Sequence, residues 1–258
     1  MGRRVLRHSI ALVAAIAAFL ALAGAAYAEN YVAMGDSYSA GNGANSTNLN
    51  SACNRNTYAY PYLLAQQRGS ALSFVACSGA KTGDIVNSQA AAANASTNLV
   101  TLTIGGNDVG FTNLIIACTT LGCQAQIDSS NSQITNQLPA KLDAAYAAIR
   151  SHAPAARVVV AGYARPFAHR TCLNATGISL NEEDQLNALT DHLDSVIKGR
   201  ALAAGFSYAD PNPYWSGHDV CSSTRYTNAL TFNSKDSYHP TRAGYASGDV
   251  PAIRAIIG

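Results

Sequence analysis

Three apolar stretches of this chain each run directly into a turn of small and polar residues. The stretches are Tyr31–Met34, Leu72–Ala76 and Leu99–Ile104, and the turns after them contain Gly35-Asp36-Ser37, Cys77-Ser78-Gly79 and Gly105-Gly106-Asn107. Short apolar runs of this kind are typical of strands in a parallel sheet that is covered on both faces. This pattern constrains the fold strongly, because parallel strands need a long crossover, usually a helix, between them.

The rest of the chain continues the alternation of strands and helices. Two more strands are predicted, Arg157–Tyr163 and Phe206–Ala209, and the segments 42–56 and 211–233 are expected to be loops. Helices are expected over 61–68, over 84–95, around Leu138, Leu142, Tyr146 and Ile149, from the capping-box pair Ser179 and Glu182 down to Gly205, and from Thr241 onward apart from Pro251. Together these elements predict an α/β protein, a three-layer α/β/α sandwich with a five-stranded parallel flavodoxin-like sheet.

The turns that follow the first three strands are the candidate functional site. Parallel sheets bind ligands beyond the carboxyl ends of their strands. Ser37, Gly79 and Asn107 each come just after such an end, so all three are expected along one edge of the sheet. Ser37 is the candidate nucleophile, although a serine in a tight turn has only a structural role in many proteins. A catalytic serine also needs a base and donors for an oxyanion.

One histidine has a sequence context that suits a general base. His239 follows Asp236 by three residues, in a predicted loop before the terminal helix. This spacing can present a carboxylate to Nδ1 of the imidazole while Nε2 faces outward, which is the arrangement a serine hydrolase uses. The same pair could also be a surface ion pair. It is the combination with Ser37, Gly79 and Asn107 that favours catalysis.

The first 28 residues have the features of a secretory signal peptide. Arg3, Arg4 and Arg7 precede an apolar run over 10–23 and a small-residue site that ends at Ala28. The run is too short for a membrane span, so no stable membrane anchor is expected. Whether export uses the general or the twin-arginine route stays open. Residues 29–258 are expected to form a single domain.

Charge and cysteine content narrow the function further. Removing the three signal arginines leaves 14 basic residues against 15 acidic ones, a net charge of −1, with no basic stripe for nucleic acid. An even number of cysteines in an exported chain indicates disulfides, but six cysteines allow 15 pairings. Their spacing does not suggest a zinc site, and no metal or cofactor is expected. The cysteines are Cys53, Cys77, Cys118, Cys123, Cys172 and Cys221.

These motifs resemble the SGNH, or GDSL, hydrolase family, and in particular its secreted actinomycete lipases, esterases and phospholipases. The resemblance rests on four blocks, Gly35-Asp36-Ser37, Gly79, Gly105-Gly106-Asn107-Asp108 and Asp236-Ser237-Tyr238-His239. Tyr38 departs from the family pattern, which has leucine there.

The resemblance implies roles for these residues. It makes Ser37 the nucleophile, His239 the base and Asp236 the acid that orients it, although in some relatives a backbone carbonyl orients the histidine. The oxyanion donors would be the N–H groups of Ser37 and Gly79 and the side chain of Asn107. It also implies the disulfide pairs Cys53–Cys77, Cys118–Cys123 and Cys172–Cys221.

The expected function is hydrolysis of carboxylic esters through an acyl-enzyme by a secreted, monomeric enzyme. The resemblance favours a lipid ester as substrate over another small-molecule ester. The alternative within the same chemistry is a carbohydrate deacetylase, whose polar cleft the loop with Tyr214, Trp215 and His218 could line, if that loop is not simply core packing. A non-catalytic binding protein with a phosphate loop over 35–43 is a remote alternative, because it leaves Asn107 and His239 without a role.

Overall fold

The five predicted strands are present and all of them are parallel. The computed structural model describes residues 28–120 and 122–258. The strands lie side by side in the order β2-β1-β3-β4-β5, with Tyr31 opposite Leu99 and Gly35 opposite Thr103 in the central pair. Their bounds are β1 Asn30–Gly35, β2 Ala71–Phe74, β3 Leu99–Thr103, β4 Arg157–Ala161 and β5 Ser207–Ala209. The predicted fold class is therefore confirmed.

Helices cover both faces of this sheet. Their bounds are α1 Ser37–Ala40, α2 Tyr60–Arg68, α3 Thr82–Asn87, α4 Phe111–Cys118, α5 Gln124–Asn136, α6 Leu138–His152, α7 Leu180–Ala203, α8 Asn212–Trp215 and α9 Val250–Ile257. Short 3₁₀ turns lie at Gln89–Ala92, Asn107–Val109, Leu173–Ala175 and Ser234–Asp236, and a π-helical segment, Gly244–Asp249, leads into α9.

Side chains along β1 alternate between two separate cores. Val32 and Met34 pack in the core that includes residues of α5, α6 and α7. Tyr31 and Ala33 point the other way, into the core that includes residues of α2 and α9. Successive residues of a strand face opposite sides of its sheet, so a strand buried on both faces shows no regular alternation of apolar and polar residues. This explains the pattern of the runs, in which the few polar residues, such as Thr101 and Thr103 of β3, are buried as well.

Several predicted boundaries were wrong by a residue or two, and some elements were missed. β2 ends at Phe74 rather than Ala76, and β4 ends at Ala161 rather than Tyr163. The single helix expected over 84–95 is α3 followed by a 3₁₀ turn. Helices α4 and α5 were not predicted, and neither was the short α8, which lies inside the predicted loop 211–233. The α5 sequence gives little signal, because it is rich in serine, asparagine and glutamine and buries only Ile127, Ser130 and Ile134.

The predicted signal peptide lies almost wholly outside the described residues. Within 28–120 and 122–258, no helix is long and apolar enough to cross a membrane. The three disulfides in the described chain are Cys53–Cys77, Cys118–Cys123 and Cys172–Cys221, the pairs that the resemblance implied.

Candidate active site

Ser37 lies at the start of α1, directly after β1. Gly35 makes the turn possible, since its φ is +116° and a Cβ there would lie 2.4 Å from the carbonyl oxygen of Thr103. Asp36 then caps the helix, with Oδ1 accepting a hydrogen bond of 2.9 Å from the N–H of Tyr38. As the first helical residue, Ser37 has a backbone N–H that the helix cannot use.

His239 contacts Ser37 although 202 residues separate them. Its Nε2 is 2.7 Å from Ser37 Oγ, and its Nδ1 is 2.9 Å from the carbonyl oxygen of Ser237. A carbonyl oxygen only accepts, so Nδ1 carries the proton and Nε2 presents its lone pair to the serine. Burial lowers the pKa of His239 to about 4, against opposing effects of the Ser237 carbonyl and the charge of Asp236. The imidazole is therefore neutral at pH 7.

The predicted contact between the carboxylate of Asp236 and Nδ1 of His239 is wrong, and a backbone carbonyl, the other possibility, lies there instead. One carboxylate oxygen of Asp236 accepts from the N–H of Gly43 at 2.8 Å, and the other accepts from the side-chain amide of Asn233 at 2.7 Å. The aspartate therefore ties the histidine loop to the loop that follows the nucleophile. The spacing of three residues brings the charge of Asp236 near the imidazole, but the carboxylate does not point at Nδ1. The carbonyl oxygen of Ser237, two residues before His239, already accepts from Nδ1.

The predicted oxyanion donors share one cavity with Ser37 and His239. Gly79 and Asn107 line this cavity of about 560 Å³. The N–H groups of Ser37 and Gly79 have no acceptor within the described chain. The Asn107 amide nitrogen donates one hydrogen bond of 3.0 Å to the carbonyl oxygen of Ala80, which fixes the side chain and leaves its second N–H available.

The chain is similar to a known family of hydrolases. Residues 33–247 match the GDSL-like lipase/acylhydrolase family. The chain belongs to that family. A lipase of Streptomyces rimosus is 41% identical over 234 residues, which are 88% of this chain and 87% of that protein.

Two solved structures support the assignment of the chain to the GDSL hydrolases. The extracellular lipase from Streptomyces rimosus superposes with a TM-score of 0.85 and the phospholipase A1 from Streptomyces albidoflavus NA297 with 0.84. Each is 40% identical to this chain, and each comparison covers 88% of this chain and 99% of the other. The chain is therefore a carboxylic ester hydrolase of the GDSL family.

Tyr163 supports the site of this GDSL hydrolase from behind the catalytic cavity and was not singled out from the sequence. Its hydroxyl donates to Asp36 Oδ2 at 2.5 Å and accepts from the N–H of Gly106 at 2.9 Å. It thereby joins the turn that carries Ser37 to the turn that carries Asn107. Its position could have indicated this role, because Tyr163 follows the carboxyl end of β4, at the same edge of the sheet as Ser37 and Asn107.

Burial of the Asp36 carboxyl under this tyrosine changes its acidity. Burial raises the pKa of Asp36 to about 7, although the hydrogen bonds from Tyr163 and from the N–H of Tyr38 oppose the rise.

Tyr38, the residue that departs from the family pattern, forms the wall beside His239. Its ring centroid is 5.0 Å from that of His239, and its hydroxyl donates to the carbonyl oxygen of Tyr238 at 2.8 Å.

The loop with Tyr214, Trp215 and His218 does not line the catalytic cavity of the GDSL hydrolase. Trp215 is buried and donates to a carboxylate oxygen of Asp249 at 3.0 Å. His218 stacks on Tyr226 with ring centroids 3.8 Å apart. Trp215 and His218 are therefore part of the packing, which was the structural alternative for this loop, whereas Tyr214 is exposed.

Proposed function

We propose that the chain is a secreted esterase that hydrolyses lipid acyl esters through an acyl-enzyme on Ser37. The observation that carries this proposal is the contact of 2.7 Å between Ser37 Oγ and His239 Nε2, with Nδ1 held by a carbonyl oxygen. A serine hydroxyl needs a base within hydrogen-bond reach and in the correct tautomer, and this arrangement meets both conditions.

In the first half-reaction, Ser37 Oγ attacks the ester carbonyl carbon while Nε2 of His239 takes its proton. The carbonyl electrons move onto the oxygen, which the N–H groups of Ser37 and Gly79 and the amide of Asn107 would stabilise. Collapse of this intermediate breaks the bond to the alcohol oxygen, and His239 returns the proton to the leaving alcohol. The product of this step is an ester between the acyl group and Ser37.

In the second half-reaction, water takes the place of the alcohol. His239 removes a proton from the water, the resulting tetrahedral intermediate uses the same donors, and Oγ leaves with the proton. The Ser237 carbonyl accepts from Nδ1–H throughout, so it stabilises the imidazolium that forms at each step. In this proposal the dipole of the Ser237 carbonyl provides what an aspartate provides in a Ser-His-Asp triad, while Asp236 contributes its nearby charge and the hydrogen bond that it accepts from the N–H of Gly43.

The choice of a lipid ester rests on the similar proteins. The relatives at 40% identity are named lipase and phospholipase A1. An acetyl-xylooligosaccharide esterase from Geobacillus matches at only 17% identity, so it shares the fold and lends no support to deacetylation. Secretion is supported by the signal-like residues 1–28 and by the three disulfides, which persist in an oxidising compartment.

A substrate panel tests the proposed function. We expect the mature protein to hydrolyse p-nitrophenyl butyrate and phospholipid vesicles, to leave acetylated xylan largely intact, and to lose at least about 10³-fold in kcat when Ser37 is replaced by alanine. Circular dichroism of Ser37→Ala serves as the folding control. Deacetylation of xylan that is faster than lipid hydrolysis would refute the choice of substrate, and normal turnover by a folded Ser37→Ala would refute the mechanism.

A further inference from the structure

The buried side chain of Gln89 bonds the backbone of the residue two positions before the nucleophile. Its Oε1 accepts a hydrogen bond of 2.7 Å from the N–H of Gly35, and its Nε2 donates one of 3.0 Å to the carbonyl oxygen of the same residue. Gln89 is only 5% exposed and begins the 3₁₀ turn between α3 and β3. The mechanism proposed above gives this buried amide no role.

The amide of Gln89 takes the place of a strand that ends too early. In the register of β1 with β2, Ala33 lies opposite Phe74, the last residue of β2, whereas β1 continues to Gly35. A buried N–H without an acceptor is strongly destabilising. Gln89 provides the acceptor at the end of β1, and on the other side Gly35 pairs with Thr103 of β3. The last residue of β1 is therefore held from both sides.

The carbonyl oxygen of Gly35 also joins the nucleophile turn to the turn with Gly79. It accepts from the N–H of Cys77 at 3.0 Å as well as from the amide of Gln89. Ser37 lies two residues after Gly35, and Gly79 lies two residues after Cys77. The two backbone N–H groups that would stabilise the oxyanion are thus both placed from one carbonyl oxygen, and Gln89 holds the residue to which that oxygen belongs.

We infer that Gln89 is a positioning residue that sets the distance between the N–H groups of Ser37 and Gly79. This inference rests on the proposed function, because that distance affects the rate only if an oxyanion forms. Gln89 does not line the catalytic cavity, so it acts through the backbone of Gly35. The oxyanion exists in the transition state and not in the bound ester, so displaced donors should lower kcat and change KM little.

Two substitutions of Gln89 test this role. Gln89→Met keeps a side chain of similar length and removes both hydrogen bonds to Gly35. Gln89→Asn keeps an amide but withdraws it by one methylene, so the bonds can persist only if the turn moves. A displacement of about 1 Å at a reaction centre can cost roughly 10²-fold in rate. We expect kcat to fall about 10²-fold in Gln89→Met and at least about tenfold in Gln89→Asn, with KM within about threefold.

The matched control is Asn187→Leu, because Asn187 makes the same pair of bonds elsewhere in the domain. Its Oδ1 accepts from the N–H of Phe167 at 3.3 Å, and its Nδ2 donates to the carbonyl oxygen of that residue at 2.9 Å. Neither residue lines the catalytic cavity. Phe167 packs on Tyr238, so the control also includes any loosening that reaches the histidine loop. We expect a lower melting temperature and a kcat within about threefold of the wild type.

The measurements are steady-state kinetics with p-nitrophenyl butyrate, thermal melts, and inhibition by an alkyl trifluoromethyl ketone. The ketone carbon forms a bond to Ser37 Oγ, the serine proton passes to Nε2 of His239, and the former carbonyl oxygen becomes an oxyanion held by the same donors. Because this adduct resembles the transition state, we expect its inhibition constant in the Gln89 variants to rise in proportion to the fall in kcat/KM. In Asn187→Leu it should stay within about threefold.

The outcomes separate this inference from the proposed function. Ordinary kcat in a folded Gln89 variant, a change in KM alone, or equal kinetic losses in Asn187→Leu would overturn the positioning role and leave the esterase intact. If Gln89→Met does not fold, Gln89→Asn decides the matter by the same criteria. Absence of turnover by the wild type would overturn the proposed function and this inference with it.

Discussion

His239 is a buried histidine whose Nδ1 faces a backbone carbonyl, and this residue sets the pH dependence that we expect. Its pKa of about 4 lies below the ordinary value for histidine, because burial disfavours the charged form. Only the neutral imidazole can accept the proton of Ser37. As the pH falls through about 4, His239 becomes protonated and activity is lost, whereas above about pH 5 the base is already fully available.

A pH profile of kcat/KM for a soluble ester measures this pKa in the free enzyme. We expect an acid limb with its midpoint near pH 4 from His239, and any separate change near pH 7 belongs to the carboxyl of Asp36, whose pKa burial raises to about 7. A midpoint near 6.5, the value of an unperturbed histidine, would show that burial does not control the base.

Asp236 makes a second prediction at the scale of the residue. Asp236→Asn keeps an oxygen that can accept from the N–H of Gly43 and loses only the bond from the exposed side chain of Asn233, so the loop should hold its place. We expect kcat to fall by less than about tenfold, far from the roughly 10⁴-fold loss when the acid of a Ser-His-Asp triad is changed to asparagine. The acid limb should move to lower pH, since the charge of Asp236 raises the pKa of His239. A loss near 10⁴-fold would restore the carboxylate as the orienting group.

Asn107 has both a structural contact and a proposed catalytic one, and kinetics can separate them. Loss of its hydrogen bond to Ala80 in Asn107→Ala should lower the free energy of unfolding by about 1 kcal/mol. Loss of an oxyanion donor should lower kcat about 10²- to 10³-fold with little change in KM. Steady-state kinetics and thermal melts of the same sample decide between the roles. An earlier melt with ordinary kcat would make Asn107 a turn residue only.

At the scale of elements, the sequence predicted the strands and helices that have a clear residue pattern. It did not predict the features that depend on tertiary contacts. Apolar runs located all five strands, and the capping box located α7, in which Ser179 and Glu182 bond reciprocally. Helix α5 buries only three residues, Ile127, Ser130 and Ile134, so its apolar spacing was too weak to predict it. The orientation of Asp236 was also beyond the sequence, because a spacing along the chain fixes proximity but not the direction of a side chain.

The Cys53–Cys77 disulfide connects two segments next to the catalytic cavity. It ties the loop after α1 to the turn with Gly79, and the N–H of Ser78 donates to the carbonyl oxygen of Cys53 at 3.1 Å. Replacing both cysteines by serine should cost about 2–4 kcal/mol of stability. It should also lower kcat, since one oxyanion donor loses its support.

The matched control for that variant is the pair Cys172 and Cys221, which does not line the catalytic cavity and closes a longer stretch of 49 residues. Its removal should lower the melting temperature at least as much and leave kcat within about twofold at a temperature where both variants are folded. Equal kinetic losses in the two double variants would indicate that the first disulfide acts through general stability alone.

At the scale of the whole molecule, the site exists only when the two ends of the domain meet. The C-terminal segment holds the loop after the nucleophile through side chains that bond its backbone: Asn228 to Gly43, Tyr245 to Asn42 and Arg242 to Ala44, at 2.9, 2.7 and 2.8 Å. Ser37 and His239 are brought together by these contacts and by the sheet. The catalytic pair is therefore a product of the complete fold, and no local segment contains it.

The central claim is that Ser37 is made nucleophilic by His239, and labelling with a fluorophosphonate tests it most directly. We expect the mature protein to gain one adduct, which peptide mapping places on Ser37, with concurrent loss of ester hydrolysis. Ser37→Ala should gain none, and folded His239→Ala should react at least about 10²-fold more slowly. An adduct on another residue, or labelling of His239→Ala at the wild-type rate, would contradict the account.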